Sequence, residues 1–83
     1  MSVNIYVGNL PFSTTNEDLE KLFAEHGAVS SARVITDRDS GASRGFGFVE
    51  MDDDGAARTA ISALDGHEID GRPLRVNEAR ERQ

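Results

Sequence analysis

The sequence predicts an α+β domain in which two helices cover one face of a four-stranded antiparallel sheet. Three observations lead to this fold: short segments of alternating apolar residues, two segments with apolar residues at helical spacing, and the order βαββαβ along the chain. Since the chain has only 83 residues, it is expected to form one domain without room for a deep catalytic cavity under a lid.

The first half of the chain contains a strand, a helix and a second strand. Val3–Gly8 alternates β-forming residues and is predicted as the first strand. Thr15 is a suitable helix N-cap, with Asp18 in the reciprocal position three residues later. Apolar positions then recur on one helix face, at Leu19, Leu22, Phe23 and His26. Residues 29–35 form the second strand, and a polar loop follows it.

The second half repeats this order of strand, helix and strand. Residues 44–51 are predicted as the third strand, and the three aspartates at 52–54 suit the start of a second helix. The apolar stripe of that helix consists of Ala57, Ala60, Ile61 and Leu64. A short extended piece at 67–69 and an Asp-Gly turn precede the last strand, in which Leu74 and Val76 alternate with polar residues.

This order of elements is that of the ferredoxin-like βαββαβ sandwich. Right-handed crossovers place both helices on one face of the sheet, and the first and third strands lie at its centre. We expect a single domain over residues 1–83, with a core of about 3–77 and a flexible, charged C-terminal tail at 78–83.

One face of the sheet is predicted to carry exposed aromatic residues. If Val49 and Met51 point into the core, strand alternation directs Phe46 and Phe48 to the opposite face. Tyr6 joins them by the same alternation in the first strand. Exposed aromatic rings are a liability unless something flat stacks on them, and the usual flat partner is a nucleic-acid base. A covering subunit or the C-terminal tail is the alternative, although the tail has no large apolar residue.

The remaining aromatic residues and the arginines complete this interpretation. Phe12 and Phe23 are expected to cap the core. The net charge of −6 argues against nucleic acid for the chain as a whole. However, strand parity places Arg33, Arg44 and Arg75 on the aromatic face, whereas seven acidic residues lie on or near the helices. Arginine both pairs with phosphate and stacks on bases, so the front of the sheet is locally basic.

Other kinds of site find little support in the sequence. The absence of cysteine excludes disulfides and cysteine-rich zinc sites, and the two histidines are isolated, so no metal or cofactor is expected. The loop at 37–48 departs from a calcium-binding loop at three positions, and the glycines around Phe46 lack the remaining residues of a phosphate-binding loop. No apolar run is long enough to cross a membrane, and residues 1–4 lack the pattern of a secretory signal, so a cytoplasmic protein is expected.

Two segments resemble the sequence signatures of the RNA recognition motif family. Residues 44–51 resemble the octamer called RNP1, with Met51 in place of its usual final aromatic residue, and residues 5–10 match the hexamer called RNP2 at every position. The resemblance covers about residues 3–79. The chain is similar to the small single-motif proteins of cyanobacteria and other bacteria, which are related to plant glycine-rich and cold-induced RNA-binding proteins.

The resemblance implies a role for each residue of the aromatic face. Tyr6 and Phe48 would stack on two successive bases, Phe46 would pack against the sugar between them, and Arg44 would contact phosphate. Arg33 and Arg75 would flank the strand, and the residues after the last strand would offer main-chain and polar contacts to base edges. The predicted RNA-binding residues are Asn4, Tyr6, Arg33, Arg44, Phe46, Phe48, Arg75, Asn77, Glu78 and Ala79.

The sequence is therefore interpreted as a single-stranded RNA-binding module without catalytic activity or cofactor. The expected properties are a monomer, weaker binding of single-stranded DNA, a secondary protein partner, and a role in RNA stability, translation or cold adaptation. Two other functions stay open. One is a protein-interaction module that uses the same face or the helices. The other is a small ferredoxin-like phosphatase of acyl phosphates, but the first loop, 9–15, lacks the arginine that such an enzyme needs.

Overall fold

The structure is a computed structural model that describes residues 2–79. Its elements in chain order are β1 (Val3–Gly8), α1 (Asn16–Ala24), β2 (Val29–Thr36), β3 (Ser43–Met51), α2 (Asp54–Leu64), β4 (Glu68–Ile69), β5 (Arg72–Pro73) and β6 (Arg75–Glu78). The main sheet has four antiparallel strands in the order β2-β3-β1-β6. The predicted fold, with the first and third strands at the centre, is confirmed.

The two central strands pair without interruption. β1 and β3 run antiparallel from Val3 opposite Met51 to Gly8 opposite Phe46. β6 pairs with the other side of β1, and β2 pairs with the other side of β3. The register between β2 and β3 shifts twice, near the two ends of β2. These irregularities therefore fall at an outer strand and leave the central pair intact.

Both helices pack on the same face of the sheet. Leu19 and Phe23 of α1 and Leu64 of α2 are buried in one cluster with Ile5 and Val49 of the central strands. Apolar side chains at helical spacing and at alternate strand positions therefore meet between the two layers. The other face of the sheet is free of helices within the described residues and can meet a ligand.

Each helix is capped at its N-terminus by the residue type that the sequence indicates. Thr15 accepts a hydrogen bond from the Asp18 N–H through its side chain, and the Asp18 carboxylate accepts one from the Thr15 N–H, both at 3.1 Å. Asp53 caps α2 by accepting a hydrogen bond at 2.8 Å from an N–H of the first turn. α1 ends at Ala24, so His26 lies in the turn after the helix and not on its apolar face.

Two polar side chains connect the helices to the edge strands of the sheet. The Asn16 Oδ1 atom, at the start of α1, accepts a hydrogen bond from the Val34 N–H of β2 at 2.7 Å. The Asp65 Oδ1 atom, at the end of α2, accepts one from the Val76 N–H of β6 at 3.1 Å. Each helix is thus held over one edge of the sheet by its own terminal residue.

The segment between α2 and β6 forms a small two-stranded hairpin outside the main sheet. Glu68 pairs with Pro73, and Ile69 pairs with Arg72. The two residues of the turn, 70–71, have φ angles of 53° and 80°, which is the pattern of a type I′ hairpin turn. The predicted extended piece and turn are confirmed, and Pro73 lies in a strand with a free edge, where its missing N–H is tolerated.

The last strand continues beyond the predicted end of the core. β6 runs to Glu78 and not to residue 77. The rest of the predicted flexible tail, residues 80–83, lies outside the described residues. Within residues 2–79, neither helix has the length and apolar character needed to span a membrane.

Candidate nucleic-acid interface

Three aromatic rings form a cluster on the helix-free face, here called the aromatic cluster. The ring centroids of Tyr6 and Phe46 are 6.0 Å apart, those of Tyr6 and Phe48 are 5.9 Å apart, and those of Phe46 and Phe48 are 6.1 Å apart. The pairs are tilted or edge-on, which is a favourable geometry for aromatic rings. Phe48 is 38% exposed and the other two rings are half-buried. The predicted placement of these partly exposed neighbours is confirmed.

Strand pairing places polar residues at both ends of a row of aromatic residues. Tyr6 of β1 pairs with Phe48 of β3 on one side and with Asn77 of β6 on the other. Phe48 in turn pairs with Arg33 of β2. Side chains of directly paired residues lie on the same face of a sheet. Arg33 and Asn77 therefore lie at the two ends of the row of Tyr6 and Phe48, and the placement of Arg33 on this face agrees with strand parity.

Gly8 gives the ring of Tyr6 room in the neighbouring row. It pairs with Phe46 on one side and with Arg75 on the other, so these three residues share the helix-free face. A Cβ atom at Gly8 would lie only 2.9 Å from two ring carbons of Tyr6. A side chain at this position would displace that ring, which makes Gly8 a positioning residue. Strand alternation from Tyr6 predicts Gly8 on this face, whereas its closeness to the Tyr6 ring is visible only in the structure.

The two glycines of β3 allow close packing around the aromatic residues. Gly47 is buried, and a Cβ atom there would clash with the carbonyl oxygen of Arg33 and lie 3.1 Å from Leu19 of α1. Helix α1 therefore approaches the strand closely at Gly47, and the backbone of β2 is a second close neighbour. Gly45 is different, because its bare side faces the loop residue Phe12 and not a helix. Its φ of 85° also favours glycine.

Arg44 lies beside a loop that an aspartate organises. The Asp37 carboxylate accepts hydrogen bonds from the backbone N–H groups of Asp39, at 2.8 Å, and Ser40, at 3.2 Å. These hydrogen bonds, and to a smaller degree the positive charge of Arg44, hold the pKa of Asp37 below its usual value. The loop is therefore fixed by a charged carboxylate at neutral pH, and the exposed Arg44 side chain follows directly after it.

The residues predicted at the end of the last strand do not all reach the aromatic face. Ala79 donates a backbone hydrogen bond of 2.7 Å to the carbonyl oxygen of Asn4, so these two predicted site residues lie together. Glu78 pairs with Ile5, whose side chain is in the core, so the register directs the Glu78 side chain to the helix side. There it lines a depression with acidic residues at the start of α2. Only the main chain of Glu78 is near the predicted site.

Phe12 is not part of the core, and that prediction is wrong. Its side chain is 67% exposed, whereas Leu10 and Pro11 are buried. The chain turns at Asn9, which has a φ of 61°, and Leu10 then fills the space beneath the loop. Exposed aromatic residues on this side of the molecule therefore include a loop residue that strand parity could not identify.

The arrangement is suited to binding a flat and negatively charged chain. Aromatic rings provide stacking surfaces for bases, and guanidinium groups pair with phosphates. No group of three metal-ligating side chains is found among the described residues. The fold and the aromatic cluster thus indicate a nucleic-acid-binding domain of the sandwich type, and the open face of the sheet is its candidate ligand surface.

Comparison with known proteins identifies the family. Residues 5–75 match the family described as the RNA recognition motif. The chain belongs to the RNA recognition motif family, which confirms the predicted resemblance.

Two curated relatives and one solved structure illustrate the similarity. The chain is 56% identical over 81 residues to the chloroplastic 28 kDa ribonucleoprotein of Spinacia oleracea, covering 98% of this chain but only 35% of that protein. It is 53% identical over 81 residues to RbpE of Nostoc sp., covering 98% of this chain and 82% of RbpE. The crystal structure of RNA Binding Protein PG1 is 58% identical, with a TM-score of 0.92 and 98% of each chain covered. The chain thus spans about a third of the first of these relatives.

Proposed function

We propose that this chain binds single-stranded RNA and acts without catalysis. The observation that carries the proposal is the aromatic cluster, in which three ring centroids lie 5.9–6.1 Å apart on a helix-free sheet face. Rings at the centre of such a face are not packed in the hydrophobic core, and the bases of an unpaired strand can stack on them. The names of the spinach ribonucleoprotein and of RNA Binding Protein PG1 associate such chains with RNA.

Each residue of the face has a proposed role. Tyr6 and Phe48 stack on two successive bases, and Phe46 packs against the sugar between them. Arg44, near the start of β3, contacts phosphate. The remaining groups flank the RNA strand and contact base edges: the side chains of Asn4, Arg33, Arg75 and Asn77, and the main chain of Glu78 and Ala79. Stacking is worth about 1–3 kcal/mol per base, so two or three bases give modest affinity with loose sequence preference.

Several broader properties are part of the proposal. The chain acts as one domain over residues 1–83, as a monomer in the cytoplasm, and binds single-stranded DNA less tightly than RNA. A protein partner on another surface is compatible with this function. A role in RNA stability, translation or cold adaptation is proposed from the family resemblance.

Single-stranded RNA is expected to bind more tightly than a duplex of the same sequence. Bases can stack on the aromatic cluster only when they are not paired and stacked within a helix. Fluorescence anisotropy titrations with a labelled single strand, and with that strand annealed to its complement, measure the difference. A single-stranded DNA of equal sequence serves as a control for the contribution of the 2′-hydroxyl. Equal or tighter binding of the duplex would rule out the proposed stacking.

The salt dependence of binding is expected to be shallow. Each neutralised phosphate of a single strand contributes about −0.7 to the slope of log Kobs against log salt concentration. Since three or four arginines are available on this side, the slope should lie between roughly −1 and −3. Arg44→Ala should lower the affinity and flatten the slope by about 0.7, the contribution of one phosphate. Titrations at several salt concentrations measure both effects.

Neutralising acidic residues on the helix side provides the matched control. Asp53→Asn retains a residue type that caps helices well, and Asp54→Asn removes only an exposed ion pair of 3.2 Å with Arg58. Charges at longer range are screened over about 8 Å at physiological ionic strength. These two changes should therefore raise the affinity slightly, and mainly at low salt. A larger effect than that of Arg44→Ala would show that the net charge of −6 governs binding.

A further inference from the structure

Phe12 is a second exposed aromatic surface that the proposed function does not use. At 67% exposure it is the most exposed large apolar side chain among the described residues. Its ring lies 3.3 Å from the position that a Cβ atom of Gly45 would occupy, and Gly45 directly precedes Phe46 of the aromatic cluster. The exposed ring is therefore located immediately beside the proposed RNA surface.

The loop that carries Phe12 is anchored on both sides of this residue. The Leu10 N–H donates a hydrogen bond of 2.8 Å to the Gly45 carbonyl oxygen, and both Leu10 and Pro11 are buried. After Phe12, the Thr14 N–H donates a hydrogen bond of 3.0 Å to the Pro11 carbonyl oxygen, which closes a turn. The anchored backbone presents the Phe12 ring outward, so little ordering is needed before a ligand binds.

The β4–β5 hairpin adds a cation next to this ring. Asn9 Nδ2 donates a hydrogen bond of 2.7 Å to the Pro73 carbonyl oxygen, which joins the loop to the hairpin. The guanidinium carbon of Arg72 lies 5.9 Å from the centroid of the Phe12 ring, near the outer limit of a cation–π contact. Neither Arg72 nor Arg44 forms an ion pair with another described residue. Both guanidinium groups are therefore available to a bound anion.

A surface depression joins this ring to the aromatic cluster. It has a volume of about 290 Å³, and its lining includes Tyr6 and Phe46 of the aromatic cluster together with Phe12, Arg44 and Arg72. None of its lining residues is acidic, although the chain carries a net charge of −6. A flat apolar surface flanked by two guanidinium groups is complementary to a base and its phosphate.

We propose that Phe12 stacks on one further base of the bound RNA strand and that Arg72 contacts the adjoining phosphate. This inference rests on the proposed function, since the strand reaches the site from the rings of Tyr6 and Phe46, which line the same depression. Continuity with the aromatic cluster favours a nucleotide over an acidic peptide as the occupant. The binding surface thus extends beyond the sheet onto the loop after β1 and the β4–β5 hairpin.

The dependence of affinity on RNA length tests this site. Fluorescence anisotropy with single-stranded RNAs of about three to about eight nucleotides is measured for the unmodified chain, Phe12→Ala and Phe12→Tyr. With the longest RNA, Phe12→Ala should weaken binding about 5- to 150-fold, the equivalent of one lost stacked base. The shortest RNA fills only the aromatic cluster, so Phe12→Ala should bind it with the same affinity as the unmodified chain. Phe12→Tyr should bind all lengths as the unmodified chain does.

Further variants test the stacking on Phe12 and the phosphate contact of Arg72 separately. Phe12→Leu retains an apolar side chain without a flat ring and should lose affinity as Phe12→Ala does; retained affinity would overturn stacking. Arg72→Ala should flatten the salt dependence for the longest RNA, whereas Arg58→Ala, which removes an exposed arginine of α2, should not. Equal flattening by both would overturn the phosphate contact at Arg72. Thermal unfolding should be nearly unchanged by Phe12→Ala, because this side chain is mostly exposed.

The outcomes distinguish this inference from the proposed function. If Phe12→Ala binds every length like the unmodified chain while Phe48→Ala binds more weakly, the additional site is overturned and the proposed function stands. A loss that is equal at all lengths also overturns the additional site, because Phe12 would then act on the aromatic cluster itself. If the unmodified chain binds no single-stranded RNA of any length, the proposed function fails, and this inference fails with it.

Discussion

Replacing Tyr6 and Phe48 together by alanine is expected to weaken single-stranded RNA binding by about 2–6 kcal/mol. The lower limit corresponds to roughly a thirtyfold increase in Kd. Each ring is proposed to stack on one base, and each stacked base is worth about 1–3 kcal/mol. Because the two ring centroids are only 5.9 Å apart, the two losses should be coupled, so both single variants are needed beside the double variant. Isothermal titration calorimetry measures all three affinities.

The control for this experiment removes an apolar side chain from the other side of the sheet. Ile61 of α2 is only partly buried against the core, so Ile61→Ala should leave RNA affinity unchanged. Phe46→Ala should weaken binding by about 1–3 kcal/mol if Phe46 contributes as a stacking ring does. A folded variant lacking both Tyr6 and Phe48 that still binds RNA normally would refute the aromatic cluster as the ligand surface.

Phe23→Ala is expected to destabilise the domain by about 3–5 kcal/mol. Phe23 is fully buried between α1 and the sheet, and its removal leaves a cavity that the surrounding side chains cannot fill completely. Since domains of this kind have total stabilities of about 5–15 kcal/mol, this loss is a large part of the whole. Urea unfolding followed by circular dichroism measures the change.

Leu22→Ala, one position earlier on the same helix, is the matched comparison. The sequence assigns Leu22 and Phe23 to the same apolar stripe, but Leu22 is only partly buried in the structure. Leu22→Ala should therefore lower the free energy of unfolding clearly less than Phe23→Ala does. Val49→Ala should also destabilise the domain, because Val49 is fully buried. Equal losses at Leu22 and Phe23 would mean that α1 packs on the sheet with a different face.

The face of the sheet could be predicted because strands alternate strictly. Once Val49 and Met51 are assigned to the core, Phe46 and Phe48 have no other place than the open face, and the structure agrees. The helix caps were equally predictable, since Thr15 and its partner three residues later satisfy backbone groups that every helix leaves free. Most of the fold and the aromatic cluster could therefore be predicted from two local rules: the alternation of side chains along strands and the capping of helix ends.

The loop and hairpin residues could not be predicted, because irregular segments have no period. Phe12 was predicted to cap the core from its position in the loop, but after the turn at Asn9 it is Leu10 that is buried, and Phe12 is exposed. The contact between Phe12 and Arg72 joins residues far apart in the sequence and depends on how the β4–β5 hairpin lies against the loop. Glu78 was assigned by its position after the strand, whereas continued alternation sends its side chain to the other side.

The hydrogen bonds that the Val34 and Val76 N–H groups donate to Asn16 and Asp65 have a consequence for the edges of the sheet. If several copies bind one RNA strand, their local concentration is high, and unpaired amides of edge strands are sites at which sheets of neighbouring copies can merge and aggregate. In this domain, a helix-terminal side chain already occupies one amide in each edge strand. A neighbouring copy would have to displace Asn16 or Asp65 before a continuous ladder could form. These two hydrogen bonds therefore oppose edge-to-edge pairing at one position of each edge strand.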